Sequence, residues 1–192
     1  MKAQEVLDFW FGAPGSASFG QPRAEWFRKD EGFDSEIRAR FGELIARAVA
    51  GGLREWDDEG AQGVLARILV LDQFTRNARR DTPGAFEGDP LALAAARKLV
   101  DSGAYRELAP AQRAFAFMPF EHAEEPRAQE QAVELFTELA RETGGFADML
   151  DYAHRHRGVI ARFGRFPHRN AILGRASTPE EAEYLRQPGS GF

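Results

Sequence analysis

The chain has 192 residues, 43% of them apolar and 16 of them Phe, which fits one domain with a full hydrophobic core. It has no cysteine, which excludes disulfides, thiolate chemistry and Cys-ligated zinc and fits a reducing compartment. Its formal net charge of −5 gives no long-range pull on nucleic acid, no apolar run is long enough to span a bilayer, and Met1 to Glu5 lack the basic and apolar regions of a secretory signal. The expectation is a soluble cytoplasmic protein with neither nucleic acid nor membrane as partner.

Val6, Phe9 and Trp10 recur at helical spacing and predict a first helix over 3–11, ended by Gly12. A loop rich in Gly, Pro and Ser runs to Pro22. Ile37, Phe41, Leu44, Ile45 and Val49 form one apolar stripe over 35–50, stopped by Gly51 and Gly52. The segment 61–77 is the most buried in character, with Val64, Leu65, Ile68, Leu69, Val70, Leu71 and Phe74 on all sides. Asp89 and Pro90 read as a cap followed by a first-turn proline, opening a helix to Ser102. Further helices are predicted over 111–123, interrupted at Pro119, then 127–142 and 146–163. Thr178, Pro179, Glu180 and Glu181 read as a capping box opening a short last helix to about Arg186. No run alternates with period two, so the fold class is all-α: about eight helices in antiparallel hairpins, forming one domain over 1–192.

Charge is unevenly distributed. Residues 1–151 carry 18 Lys and Arg against 27 Asp and Glu, while 152–192 carry 7 against 3. Tyr152 to Arg175 holds six arginines, three of the four histidines and no acid. Guanidiniums this close repel one another, so they require internal carboxylates, backbone carbonyls or a bound anion.

Two further clusters carry polar groups into apolar surroundings. The buried helix ends in Asp72, Gln73, Arg76 and Asn77, with Asp72 facing Arg76 and Gln73 facing Asn77 at i,i+4. Buried Asp72 must be paired, either by Arg76 or by an arginine of the cationic stretch. The other cluster follows Pro119: Glu121, His122, Glu124 and Glu125 could supply acid–base chemistry or hold a hard metal, but the spacing is not that of a known metalloenzyme. No metal and no cofactor is expected, and Glu121 as counter-ion to the arginines is the favoured reading. On the 146–163 helix, His156 shares the inward face with Met149, Ile160 and Phe163. A turn punctuated by Gly164 and Pro167 then displays Arg165, His168, Arg169 and Asn170.

LDQFTRN (71–77), MPFEHAEE (118–125) and RFGRFPHRNAILGRASTPEEAEYL (162–185) resemble the bacterial family known as domain of unknown function 924. VLDFWFG (6–12) and the terminal Phe192 fit as well. The resemblance implies a helical fold of the tetratricopeptide-like α-α superhelix kind, and implies no activity, substrate or cofactor. Its motif positions are Asp72, Gln73, Arg76, Asn77, Glu121, His122, Arg165, His168, Arg169 and Asn170.

Three functions fit these residues. In the first, a binding module holds a small anionic metabolite or acidic peptide on a concave face lined by Asp72, Arg76, Glu121, His156, Arg165 and Arg169. The second is a hydrolase- or lyase-type enzyme with Glu121 or His156 as base and Arg165 or Arg169 as clamp. In the third, the motifs form a structural polar lock and a protein partner docks on the outer surface.

Overall fold

The structure, a computed structural model, describes residues 1–17 and 19–191; the reading placed on Phe192 lies outside the described residues. The α-helices are α1 (Ala3–Phe11), α2 (Glu31–Val49), α3 (Ala61–Leu69), α4 (Thr75–Ala78), α5 (Asp89–Asp101), α6 (Pro110–His122), α7 (Pro126–Thr143), α8 (Ala147–Phe163) and α9 (Pro179–Leu185). There is no strand among the described residues, and the all-α reading holds.

Local chemistry moves three boundaries. α2 begins four residues before the predicted Ser35, because the Asp30 side chain accepts the Phe33 N–H at 2.8 Å and caps it. Asp89 does not cap α5; Gly88 takes that position, and the Asp89 carboxylate is drawn into a charge-assisted pair with Arg76 instead. The predicted 61–77 helix is split by a π-helical turn over Val70–Phe74. Thr75 Oγ1 reaches back five residues to donate to the Val70 carbonyl at 2.8 Å, satisfying an oxygen inside that widened turn. Pro119, expected to interrupt its helix, lies inside α6, which runs on to His122.

The chain falls into two compact units, one of Met1–Arg80 with Gly84–Pro119 and one of Asp81–Pro83 with Phe120 onward. The first is built on aromatic residues. Phe74 contacts Phe9, Trp10 and Phe41 with ring centroids 4.7–5.7 Å apart, and Phe115 meets Trp10, Phe11 and Trp26 edge-on. Gly63 lets α3 lie against the preceding turn: a Cβ there would sit 1.9 Å from the Trp56 carbonyl oxygen. Gly88 likewise abuts the Leu71 carbonyl, which a Cβ would approach to 2.0 Å.

In the second unit α7 buries Ala132, Val133, Leu135, Phe136 and Leu139 and packs extensively on α8. The short link between them makes the pair an antiparallel hairpin. α8 ends at Gly164 in the left-handed conformation, φ 69°, which turns the chain sharply into the Phe166–Asn170 segment. Buried Val159, Ile160 and Phe166, with Phe163 and Tyr184 against them, form the core beneath α9.

Candidate functional site: two polar networks

The candidate residues separate into two sets. Asp72, Gln73, Arg76 and Asn77 lie in the first unit; Glu121, His122, His156, Arg165, His168, Arg169 and Asn170 lie in the second.

In the first unit the π turn delivers Asp72, fully buried, to Arg76. Arg76 Nη1 donates to Asp72 Oδ1 at 2.9 Å and to the Asp72 carbonyl at 3.0 Å, and its two terminal nitrogens take Asp89 at 2.8 and 3.0 Å. Burial lowers the Arg76 pKa, but the two carboxylates outweigh it and hold the guanidinium above its usual value. The sequence pairs Gln73 with Asn77; the structure parts them. Gln73 donates to Asp72 Oδ2 at 2.6 Å and contacts Met118 Sδ, whereas Asn77 donates to Asp34 Oδ1 at 2.7 Å. Asp34 also accepts a fork from Arg80, Nε at 2.7 Å and Nη2 at 2.9 Å. Burial works to raise the Asp34 pKa, and these donors overcome it and leave the carboxyl below its ordinary range.

In the second unit Glu121 meets His156 rather than an arginine. His156 Nδ1 is 2.8 Å from Glu121 Oε1 and 2.9 Å from the Tyr152 carbonyl oxygen, and both side chains are less than a tenth exposed. A carbonyl only accepts, so Nδ1 carries the proton and Nε2 is the basic nitrogen of the neutral ring. The rings of His122 and Phe166 stand 6.2 and 5.4 Å from that of His156. The His168 ring lies tilted 5.6 Å from that of Phe166; burial first, then the charge of Arg169, pushes its pKa down to about 4. The Arg169 guanidinium lies 4.5 Å over the Phe166 ring and donates to the His122 carbonyl at 3.0 Å.

Arg175 and Arg165 find carboxylates. Arg175 forks onto Glu124 at 2.6 and 2.9 Å and also donates to Asn170 Oδ1 and the Phe166 carbonyl. Glu124 in addition accepts the Phe166 N–H at 2.7 Å. Burial would raise its pKa, but the Arg175 and Phe166 hydrogen bonds prevail and hold it low. Arg165 forks onto Glu181 at 2.6 and 2.8 Å, and Asn170 donates to the same carboxylate. The Arg165 hydrogen bonds are the chief reason that Glu181 titrates at about 2.

Glu121, His122 and Glu124, the set weighed for a metal, are therefore divided, and among the described residues no three His, Asp or Glu side chains converge on a metal position. Sequence reasoning missed Gln129, which is wholly buried and donates to the carbonyls of Phe120, Glu121 and Ala123 at 2.6–3.3 Å. It therefore satisfies the open C-terminal end of α6. The available signal was its position on the apolar stripe of α7, four residues before Val133.

Residues 6–189 match the family described as "Bacterial protein of unknown function (DUF924)". The chain belongs to this family. No curated protein matches it. Among solved structures it is similar to "Structure of Protein of Unknown Function ATU0120 from Agrobacterium tumefaciens", at 38% identity over 96% of each chain and a TM-score of 0.81. For this DUF924 chain the helical fold is thereby supported, and no helix among its described residues is long and apolar enough to cross a membrane.

Proposed function

We propose that this DUF924 chain is a non-enzymatic binding module that captures a carboxylate-bearing ligand on the outer face of α8, in the cytoplasm that its lack of cysteine suits. On this reading the motif residues are the lock that holds the helices, and the recognition surface is separate from them. The observation that carries it is the contrast between Arg165 and Arg175, held by the more buried Glu181 and Glu124, and Arg155 and Arg162 on α8, whose pairs with Asp151 and Glu180 are exposed on both sides. The α7–α8 hairpin supports a tetratricopeptide-like arrangement of this unit. A thermal-shift titration with carboxylates, from small dicarboxylates to acidic peptides, tests it. Stabilisation should approach about 2.7 kcal/mol at a hundredfold excess over the dissociation constant. It should vanish in Arg155→Ala/Arg162→Ala. Stabilisation that survives in this variant, or no stabilisation by any carboxylate, sinks the reading.

One observation favours an enzyme instead. A buried carboxylate fixing the Nδ1 proton of His156 leaves Nε2 as a positioned base, the arrangement hydrolases and lyases use. Turnover of an ester or anionic substrate panel, lost in Glu121→Gln and His156→Gln while both stay folded, would favour that reading over the lock.

A further inference from the structure

The outer face of the second unit has a cleft of about 290 Å³ beside α8, floored by Val159, Phe163 and Tyr184. Arg155, Gly158, Val159 and Arg162, all lining it, stand at positions i, i+3, i+4 and i+7 of α8. Four residues at that spacing form the diamond-shaped hole into which a side chain of a neighbouring helix inserts. Gly158 deepens the hole. A glycine inside a helix disfavours it by about 1 kcal/mol relative to alanine. At Gly158 nothing in the structure requires one, since a Cβ there would meet no atom within 4 Å.

The rim carries two arginines, each in an exposed ion pair. The guanidinium of Arg155 lies over the Tyr152 ring at 5.3 Å and that of Arg162 over the Phe163 ring at 4.7 Å, so both are held at the edges of the hole. Their partners, Asp151 and Glu180, form pairs in which every side chain is about half exposed. Exposed pairs contribute about 0–1 kcal/mol and exchange readily for another carboxylate. The two arginines stand seven positions apart, about 10 Å along the helix axis. A small diacid bridges that span poorly. Two glutamates seven residues apart on a partner helix repeat the same spacing, with an apolar residue between them at the height of Gly158.

We infer that this cleft receives an acidic amphipathic helix, whose central apolar side chain enters the hole at Gly158 while flanking glutamates pair with Arg155 and Arg162. The inference rests on the carboxylate-binding reading above and names its ligand class.

Fluorescence anisotropy tests it, with a fluorescein-labelled, helix-stapled peptide bearing Glu at i and i+7 and Leu at i+4. The intact chain should bind this peptide, and bind at least tenfold more weakly the analogues with Leu replaced by Ser or both Glu by Gln. Gly158→Leu, which fills the hole and favours the helix, should weaken binding at least tenfold with an unchanged circular dichroism spectrum and undiminished thermal midpoint. Arg155→Glu/Arg162→Glu should abolish it. Equal affinity in Gly158→Leu overturns the inference. So does absence of peptide binding by a protein that small dicarboxylates still stabilise through Arg155 and Arg162, an outcome that leaves the wider reading standing. Peptide binding untouched by the charge reversal overturns both. Concentration-dependent self-association abolished by Gly158→Leu, without peptide binding, overturns the inference in favour of a second copy of the chain.

Discussion

The carboxylate of Glu181 serves Arg165 and a helix terminus at once: it accepts the Arg165 fork at 2.6 and 2.8 Å while also accepting the Thr178 backbone N–H at 2.7 Å. The reciprocal Thr178 hydroxyl takes the Glu181 N–H at 3.2 Å, completing the capping box of α9. One side chain thus fixes both the helix start and its attachment to the Gly164 turn.

This makes the attachment acid-sensitive. The Glu181 pKa is lowered from 4.5 to about 2, so its stabilisation is fully present above about pH 5 and lost as pH falls towards 2. Glu181→Gln should reduce the thermal midpoint at neutral pH, and the gap to the unsubstituted chain should close below pH 3. A gap constant with pH refutes the electrostatic account.

His168 acts in a different window. Burial favours its neutral form and lowers its pKa from 6.5 to about 4, so the unfolded chain takes up a proton first as pH falls. Stability is full above about pH 6.5 and declines towards pH 4, by at most about 3 kcal/mol. His168→Phe should flatten denaturant-derived stability between pH 6.5 and 4 and leave the lower window unchanged.

Gln129→Ala strips the donor from three carbonyls at the end of α6. Leaving buried acceptors unsatisfied should destabilise the chain by about 2–4 kcal/mol, read from urea midpoints. Gln129→Leu, which keeps the volume, should not restore it; full recovery in this variant would mean that packing, not capping, is the role of Gln129.

Two glycines should respond with opposite sign. Gly63→Ala drives a Cβ into the Trp56 carbonyl and should destabilise by about 1–3 kcal/mol or more. Gly158→Ala adds a methyl in open space and should stabilise by about 0.5–1 kcal/mol. Two losses of stability would show that Gly158 is constrained from within the chain.

The tautomer of His156 is measurable. ¹⁵N NMR of the neutral ring should place the proton on Nδ1, and Glu121→Leu should leave that assignment, held by the Tyr152 carbonyl, while loosening the ring. A neutral Nε2–H tautomer contradicts the geometry.

Helix identity was legible in the chain because apolar spacing dominates it: the stripe Ile37, Phe41, Leu44, Ile45 faces inward as its period requires, and all four are buried. The Thr178 box was legible because its chemistry lies within four residues. The i,i+4 pairing of Asp72 with Arg76 was readable for the same reason. Partners distant in sequence were not. Asp34 with Arg80, Glu124 with Arg175, and Gln129 with the end of α6 depend on how the chain folds back, which no local spacing encodes. The cap expected of Asp89 failed on the same ground, since a local hydrogen bond yielded to a guanidinium thirteen positions away.

The π turn at Val70–Phe74 sets a phase as well as a shape. It amounts to one residue more than an α-helix needs for the same path, and each residue turns a helix by about 100°. Deleting one residue between Val70 and Phe74 would therefore give a regular helix on the same path, with Arg76 still facing Asp89 and Asn77 still facing Asp34. A deletion within α3, where no widened turn takes up the change, would instead swing both contacts by about 100°.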